Sequence, residues 1–346
     1  MLLSEFDYEL PDDLIAQEPA ARRDGSRLLV VERRTGQLSH HAFTDLLHLL
    51  FPQDALLVFN DTRVIAARLQ GRKESDGKVE ILLLRRRAGE GEEWEVLCKG
   101  GQNARVGSSV YFGSELRAEW IDSPQNGRGV LRFFPQGDFS ALVERIGAVP
   151  LPPYIKRSSH SYPEDRERYQ TVYARHPGAV AAPTAGFHFT AALLNALQQR
   201  GIETVFITLH VGTGTFQPIR AEQIEAHQME EEEYDISEEA ATRINRAKWT
   251  GRRIIAVGTT STRALEAAST PDGTIAAGRQ RTNLFIYPGY RFRAVDSLLT
   301  NFHLPRSTLL LLVSAFTGRG MIRRAYAEAI IQRYRFYSYG DAMLIL

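Results

Sequence analysis

The chain has 346 residues, with 42 Lys or Arg against 41 Asp or Glu and a formal net charge of +1. Its length suffices for a full hydrophobic core and favours two domains, and the balanced charge excludes a general positive field that would attract nucleic acid. The single cysteine, Cys98, excludes an intramolecular disulfide and a cysteine-based zinc site.

The N-terminal residues predict the start of an α/β domain. The acidic beginning, MLLSEFDYELPDD, lacks a basic flank followed by an apolar core, so we expect no signal peptide. A short helical piece over 12–17 precedes a hairpin with strands at 28–31 and 38–43, and a helix follows near Leu46.

Polar residues follow a strand that the pattern predicts to be buried on both faces. The run 56–59 is apolar throughout, and Asp61 and Arg63 come just after it. Ligands in open α/β sheets bind beyond such strand ends, so both are candidate substrate-binding residues. An Asp-Thr-Arg turn closed by a local ion pair is the alternative interpretation.

Residues 65–150 predict an inserted all-β module. Short alternating strands, broken by Gly, Asp, Asn and Ser, are expected at 79–84, 94–99, 110–112, 116–121 and 130–134. No helix is expected before 139–146, and α/β sequence lies on both sides of the module. The basic run 85–87 fits either a solvated strand edge or a nucleic-acid contact.

Residues 151–178 interleave basic and aromatic side chains. Prolines in LPPYIKR predict a stiff linker, and a helix is expected over 164–173. Basic groups bind backbone phosphates while tyrosines stack on bases in single-stranded RNA recognition, although a charged helix with inward tyrosines explains the same pattern. The candidate RNA-binding residues are Lys156, Arg157, Arg166 and Arg168.

Two stretches of small residues predict the walls of one pocket. They read AVAAPTAGFHFT over 179–190 and TLHVGTGTF over 208–216, and each carries a histidine near an aromatic residue. Thr190 is expected to cap a helix whose unpaired N–H groups favour an anion. A plain strand-to-helix connection is the alternative, and GTGTFQ lacks the third glycine of a dinucleotide fingerprint. The candidates here are Thr184, His188, His210 and Thr213.

Two later loops add polar candidates. The strand predicted at 253–257 opens into GTTSTR, a turn that either binds an anion or merely caps a helix. A strand is also expected at 282–287, and TNFHLP forms a third histidine-bearing loop before a helix over 321–334. The longest apolar run, 309–313, is far shorter than the ~20 residues of a membrane span, so we expect a cytoplasmic protein. The candidates in these loops are Thr259, Thr260, Arg263, Asn301 and His303.

Taken together, these segments resemble the S-adenosylmethionine:tRNA ribosyltransferase-isomerase family of queuosine biosynthesis. The similarity rests on blocks that include LVFNDTRVIAARLQG, PLPPYIKR, GAVAAPTAGFHFT, TLHVGTGTF, AVGTTSTRALE and TNFHLPRSTLLLLVSAF, and it spans nearly the whole chain. Two departures stand out, because Ala66 lies where proline is usual and Glu230 lies where a second histidine is usual. The resemblance implies a mixed-sheet α/β domain of residues 1–64 and 151–346 with a barrel-like all-β domain inserted at 65–150.

The resemblance also implies a reaction. The ribosyl part of S-adenosylmethionine moves onto the aminomethyl group of 7-aminomethyl-7-deazaguanine at the tRNA wobble position, giving epoxyqueuosine with release of adenine and methionine. S-adenosylmethionine is thus a consumed substrate rather than a cofactor, and tRNA is the expected partner. No metal is implied, and no membrane or protein partner is indicated.

This chemistry assigns roles to the candidates. A base must remove the ribose 5′ proton beside the sulfonium, and an acid should assist the departure of adenine. Histidine suits both tasks near neutral pH, and three phenylalanines beside the histidines are candidates to shelter the sulfonium by cation–π contact. Asp61 is expected to bind a ribose hydroxyl or the methionine ammonium, and Arg263 a carboxylate or phosphate. The acid/base candidates are His188, His210 and His303, and the aromatic ones are Phe189, Phe216 and Phe302.

Two other functions remain open from the sequence. A methyltransferase would use HVGTGTF as its cofactor loop and release S-adenosylhomocysteine. A non-catalytic RNA-binding module would bind tRNA without consuming S-adenosylmethionine.

Overall fold

A computed structural model describes residues 1–50, 54–87, 89, 91–157, 163–212, 214 and 219–346. Two predicted pocket residues, Thr213 and Phe216, lie outside the described residues. Within the described ranges, the chain forms a nine-stranded mixed sheet covered by helices, a closed six-stranded antiparallel barrel and a two-stranded ribbon. No helix in these ranges is both long and apolar enough to cross a membrane.

The strands are β1 (Arg27–Val31), β2 (Leu38–Ala42), β3 (Ala55–Asn60), β4 (Thr62–Val64), β5 (Arg68–Lys73), β6 (Lys78–Arg86), β7 (Glu92–Lys99), β8 (Ser109–Phe112), β9 (Leu116–Gln125), β10 (Arg128–Pro135), β11 (His176–Ala179), β12 (Glu203–His210), β13 (Glu232–Ile236), β14 (Arg253–Val257), β15 (Gly278–Thr282), β16 (Ser297–Asn301) and β17 (Ala342–Ile345). The α-helices are α1 (Leu46–Leu49), α2 (Phe139–Ile146), α3 (Pro163–Arg168), α4 (Ala191–Gln199), α5 (Glu238–Trp249), α6 (Thr259–Ala268), α7 (Thr308–Thr317) and α8 (Arg319–Ile331).

The main sheet brings four parallel strands side by side. Its order is β15-β13-β12-β3-β14-β16-β17-β1-β2, and β12, β3, β14 and β16 each run parallel to their neighbours within this group. All residues of β3 and β16 are buried, which explains the largely apolar sequence of β3, whereas β16, SLLTN, also buries polar residues. The carboxyl ends of the four strands therefore meet at one edge of the sheet.

The two faces of the sheet are covered by different helices. On β12, Val205, Ile207 and Leu209 join the larger core with residues of α5, α6, α7 and α8, as their alternation predicts. The opposite face packs against α4 and the aromatic ring of Phe189. Thr190 caps α4 by accepting a hydrogen bond from the Leu193 N–H at 3.1 Å, which confirms the predicted helix start.

The inserted barrel closes in the order β10-β7-β6-β5-β8-β9, so the expected mixed-sheet α/β fold with an all-β barrel is confirmed. Helix α2 packs Phe139 and Val143 into the apolar barrel core. The chain enters and leaves the barrel side by side, because Arg68 and Ala148 exchange backbone hydrogen bonds of 3.1 and 2.9 Å. The domain boundaries at 64/65 and 150/151 stay a prediction.

Several elements differ from the sequence predictions. Thr300 and Asn301, expected in a loop, end strand β16, and strands β4, β11 and β13 were not predicted. The strand expected at 282–287 is wrong, because the charged segment β15 pairs with β13 instead, while Ile286 is buried as irregular chain. The helix expected over 164–173 ends at Arg168, since Tyr169 turns inward and the Gln170 amide bonds both backbone groups of Val64. Strand β5 was not predicted, because its sequence, RLQGRK, is mostly polar.

Candidate active site

A small cavity of about 30 Å³ lies at the shared carboxyl edge of the parallel strands. Ala182 to Ala185 form one wall and Val211 another, so the two small-residue stretches do contribute to one cavity. The start of α6 and the end of β16 complete it. Five of the predicted site residues line this cavity, namely Thr184, Thr259, Thr260, Asn301 and His303.

The buried side chain of Asn60 fixes the end of β3 to its neighbours. Its amide nitrogen donates to the Leu209 carbonyl at 3.0 Å and to the Thr260 hydroxyl at 3.2 Å. Its amide oxygen accepts from the N–H groups of Leu209 and Thr62. Asn60 was not chosen as a site residue from the sequence, although its place directly before Asp61 at the end of an apolar strand was a usable signal.

The hydroxyl-rich turn after β14 begins helix α6 at the cavity. Gly258 has a backbone φ of +93°, which residues other than glycine rarely adopt. This conformation allows the chain to turn directly from strand β14 into helix α6. Ser261 and Thr262 donate to the carbonyls of Val257 and Gly258 and so stabilise the turn. Thr259 therefore stands at the cavity with the first N–H groups of the helix, an arrangement that favours polar or anionic ligand groups.

His303 is the predicted histidine that lines the cavity. Its Nε2 lies 2.8 Å from the Thr300 hydroxyl, and burial lowers the pKa of the imidazole to about 3. The ring is therefore neutral at physiological pH. Beside it, the Asn301 amide donates to the Tyr337 carbonyl at 3.0 Å.

His188 lies beneath the cavity wall rather than on the cavity. Its Nδ1 is 2.5 Å from the Ser26 hydroxyl, and burial lowers the pKa of the ring to about 4. Asn301 also interacts with this ring and raises its pKa, though by less than burial lowers it. Ser26 was missed by the sequence analysis because nothing local connects two residues 162 positions apart.

Asp61 and His210 form a second polar cluster on the opposite face of β12 from α6. The Thr208 hydroxyl donates to Asp61 at 2.7 Å, and His210 Nδ1 lies 2.8 Å from the Thr62 hydroxyl. Burial raises the pKa of the Asp61 carboxyl and lowers that of the His210 ring. Neither residue belongs to the described lining of the cavity that holds His303, and none of the described cavities joins all three histidines.

Arg263 forms a buried ion pair that the sequence analysis did not foresee. Its Nη1 contacts Glu232, and both side chains are only 3% exposed. Glu232 also accepts a hydrogen bond from the Gly212 N–H at 3.1 Å. The Nε and Nη2 groups of Arg263 have no partner among the described residues, so this guanidinium can bind a further acceptor.

The predicted RNA-binding arginines mostly contact the protein itself. Arg157 forms two 2.9 Å contacts with Asp165, whereas Arg166 donates to backbone carbonyls of Glu144 and Gly147. Arg168 likewise donates to the Ala20 carbonyl at 2.6 Å. The exposed residues Lys156 and Arg63 face solvent, with Arg63 3.9 Å from Glu144. Lys156, Arg157 and Arg168 line a groove of about 570 Å³ that also contains Asp12, Glu18, Glu164 and Asp165.

Comparisons with known proteins agree over the whole chain. A family model described as a queuosine biosynthesis protein matches residues 3–345. The S-adenosylmethionine:tRNA ribosyltransferase-isomerase of Caldanaerobacter subterraneus subsp. tengcongensis is 53% identical over 348 residues, and that of Geobacter sulfurreducens is 53% identical over 346, each covering 100% of both chains. The chain belongs to the S-adenosylmethionine:tRNA ribosyltransferase-isomerase family. The resemblance seen in the sequence is thereby confirmed.

A solved structure supports the same family assignment. The crystal structure of S-adenosylmethionine tRNA ribosyltransferase from Thermotoga maritima is 37% identical in sequence and covers 99% of this chain and 100% of its own, with a TM-score of 0.56. Against this family background, the two departures have defined surroundings. Ala66 is buried with its carbonyl close to Gly147, and Glu230 contacts Arg128 of the barrel.

Proposed function

We propose that this chain transfers and isomerises the ribosyl group of S-adenosylmethionine onto 7-aminomethyl-7-deazaguanine at the wobble position of tRNA. The observation that carries the proposal is the full-length identity of 53% to relatives named for this type of reaction. The buried polar groups at one edge of the parallel strands support it, because such an edge is where α/β enzymes bind nucleotides and related ligands. We place this activity in the cytoplasm.

The reaction consumes two substrates and needs no further reagent. A base removes a proton from the ribose 5′ carbon, which the sulfonium acidifies. The aminomethyl nitrogen acts as the nucleophile, forms a bond to an electrophilic carbon of the ribosyl skeleton and loses one of its protons. Adenine leaves with a proton, methionine leaves when its carbon–sulfur bond breaks, and the ribosyl skeleton rearranges to the epoxycyclopentane of epoxyqueuosine. The protein must therefore position a base, an acid and a cation binding site around one ribose.

We assign the base role to His303, because it is neutral and lines the cavity at the sheet edge. Thr184, Thr259, Thr260 and Asn301 surround the same cavity and are assigned to the polar groups of the nucleoside. The cavity, at about 30 Å³, is smaller than the ~300 Å³ or more of a typical ligand pocket, so binding must displace part of its wall.

Other candidates keep roles around this cavity. Arg263 is assigned to the methionine carboxylate, since two of its N–H groups have no partner among the described residues. Asp61 and His210, which belong to the second polar cluster, are assigned to the ribose or the ammonium group of S-adenosylmethionine. His188 is assigned a place behind the cavity wall, where it contacts Ser26. Arg63, Thr213, Lys156, Arg157, Arg166 and Arg168 stay predictions for contacts to the substrates.

A product assay tests the proposal. The protein is incubated with S-adenosylmethionine and tRNA that carries 7-aminomethyl-7-deazaguanine, and the small molecules are separated by chromatography. Equal amounts of adenine and methionine, with a mass increase in the tRNA, are expected. S-adenosylhomocysteine would indicate a methyltransferase instead. Binding of tRNA without loss of S-adenosylmethionine would indicate an RNA-binding module.

A further inference from the structure

The three residues 230–232 connect the inserted barrel to the candidate active site. They precede or begin β13, which lies next to β12 in the main sheet. Glu230 and Glu231 contact arginines of the barrel, whereas Glu232, the first residue of β13, contacts groups of the candidate active site.

Glu232 points inward to the candidate active site. It forms the buried ion pair with Arg263 and accepts the Gly212 N–H. Gly212 follows β12 at the sheet edge, directly after Val211 of the cavity wall. The position of Glu232 therefore determines where both the guanidinium and this backbone N–H lie.

Glu230 and Glu231 point to the barrel. Glu230 contacts Arg128 at the start of β10, and Glu231 lies 3.7 Å from Arg85 on β6. On the side of the sheet edge, the Glu230 side chain packs against Gly214, where an added Cβ would lie 3.1 Å from it. Glu230 thus contacts the barrel and the glycine-rich loop at the same time.

We propose that Arg128 and Glu230 are positioning residues that couple the barrel to Gly212, Gly214 and Arg263. This inference rests on the proposed function, because the coupling is measured through its reaction. The barrel sets the place of Arg128, Arg128 sets the place of Glu230, and the adjoining Glu232 holds the groups assigned to S-adenosylmethionine.

The solvent exposure of Arg128 and Glu230 allows a positioning role to be distinguished from a contribution to stability. The Arg128 side chain is 44% exposed and that of Glu230 is 33% exposed. Ion pairs of this kind contribute little to the free energy of unfolding. Breaking the pair should therefore change catalysis while leaving the fold intact.

The barrel offers a matched control on the same strand. Arg132 of β10 pairs with Glu93 at 2.6 Å and is 45% exposed, but its partner belongs to the barrel. Arg132→Gln removes the same charge from the same strand without touching the link to the sheet. Any effect of total charge on tRNA binding is therefore common to Arg132→Gln and Arg128→Gln.

The experiment measures kcat and KM for both substrates in Arg128→Gln, Glu230→Gln, their double variant and Arg132→Gln. We expect kcat/KM for S-adenosylmethionine to fall about fivefold in each single variant of the pair, the largest effect that a contact of about 1 kcal/mol can transmit. The double variant should lose no more than either single one, because the two act through one contact. Arg132→Gln should stay within about twofold of the wild type, and all melting temperatures within about 2 °C.

Three results would overturn the inference. One is a loss in Arg128→Gln no larger than in Arg132→Gln, and another is additive losses in the double variant. A loss that follows the melting temperature would also overturn it, since it would reflect stability. Failure of the proposed function itself is distinct, because the wild-type protein would then release no adenine.

Discussion

Charged side chains lie at the surface in the inserted barrel but are buried at the edge of the main sheet. In the barrel, arginines pair with glutamates at the surface, as in Arg85 with Glu95 at 2.8 Å and Arg145 with Glu115 at 2.7 Å, while the interior is apolar. At the sheet edge, Arg263 is buried, and two of its N–H groups have no partner among the described residues.

The difference shows which region is built for binding. A buried polar atom without a partner costs about 1–3 kcal/mol, so a chain retains one where a ligand can supply the partner. The sheet edge thus holds a buried and incompletely paired guanidinium, whereas arginines of the barrel such as Arg85 and Arg145 pair with glutamates at the surface.

The largest effect is expected from substitution of His303, which tests whether the reaction takes place at the edge of the main sheet. His303→Gln retains a partner for Thr300 but cannot act as a base at neutral pH. We expect adenine release to fall about 10²- to 10⁴-fold, the usual contribution of a general base. Single-turnover adenine formation measures it.

His41→Gln is the matched control for this substitution. His41 lies on β2 with its Nε2 2.9 Å from the Ser39 hydroxyl, so it too is a histidine bonded to a hydroxyl. Its replacement should leave adenine release unchanged. Near-normal release by His303→Gln, with a large loss in His188 or His210 variants, would move the base away from this cavity.

The next effect concerns the buried ion pair. Arg263→Ala should lower the free energy of unfolding by about 3–5 kcal/mol, because it leaves the Glu232 carboxylate buried without its guanidinium. Urea unfolding measures this change. The double variant Arg263→Met/Glu232→Gln should regain most of the loss, and a double variant as unstable as the single one would contradict the explanation.

A smaller effect is expected from pH. The pKa of His188 is about 4 when folded, below its ordinary value of about 6.5, so the unfolded state takes up a proton that the folded state does not. Stability should therefore fall as the pH drops from about 6.5 towards 4, by up to about 3 kcal/mol for this group. Urea unfolding across this range, compared with His188→Asn, should show a flatter dependence in the variant. Parallel curves would exclude the histidine as a cause.

The smallest effect belongs to the barrel surface. Arg145→Ala breaks the contact with Glu115, in which both side chains are about half exposed, and should change the free energy of unfolding by less than about 1 kcal/mol. The same urea assay serves as the measurement. A loss as large as that of Arg263→Ala would remove the contrast between the two regions.

Much of the fold was predictable because local patterns decide it. Alternation identified most barrel strands, for example 94–99 within β7, and an unbroken apolar run identified β3. Phe139–Ile146 was predicted with both ends correct, and Asp138 caps it through a 2.7 Å bond to the Ala141 N–H. The apolar segment 282–287 was assigned to a strand because burial alone does not distinguish a strand from a packed loop.

The candidate site was predictable only as residues near strand ends. Thr259 and Asn301 follow recognisable strands or loops, and their common cavity then follows from the parallel order of the sheet. The partners of Arg263 and His188 are distant in sequence, so no local pattern reveals Glu232 or Ser26. Arg166 was predicted to bind RNA, but it donates to the backbone carbonyls of residues 144 and 147. These partners are also too distant in sequence for a local pattern to reveal them.

The paired backbone hydrogen bonds between Arg68 and Ala148 bear on how far the barrel sequence can vary in length. Its entry and exit lie one strand spacing apart, about 5 Å, so the gap can be spanned by a short turn. A change in the length of a barrel segment between these two positions therefore need not shift the register of the main sheet. The barrel can vary as a unit as long as Arg85 and Arg128 keep their contacts with Glu231 and Glu230.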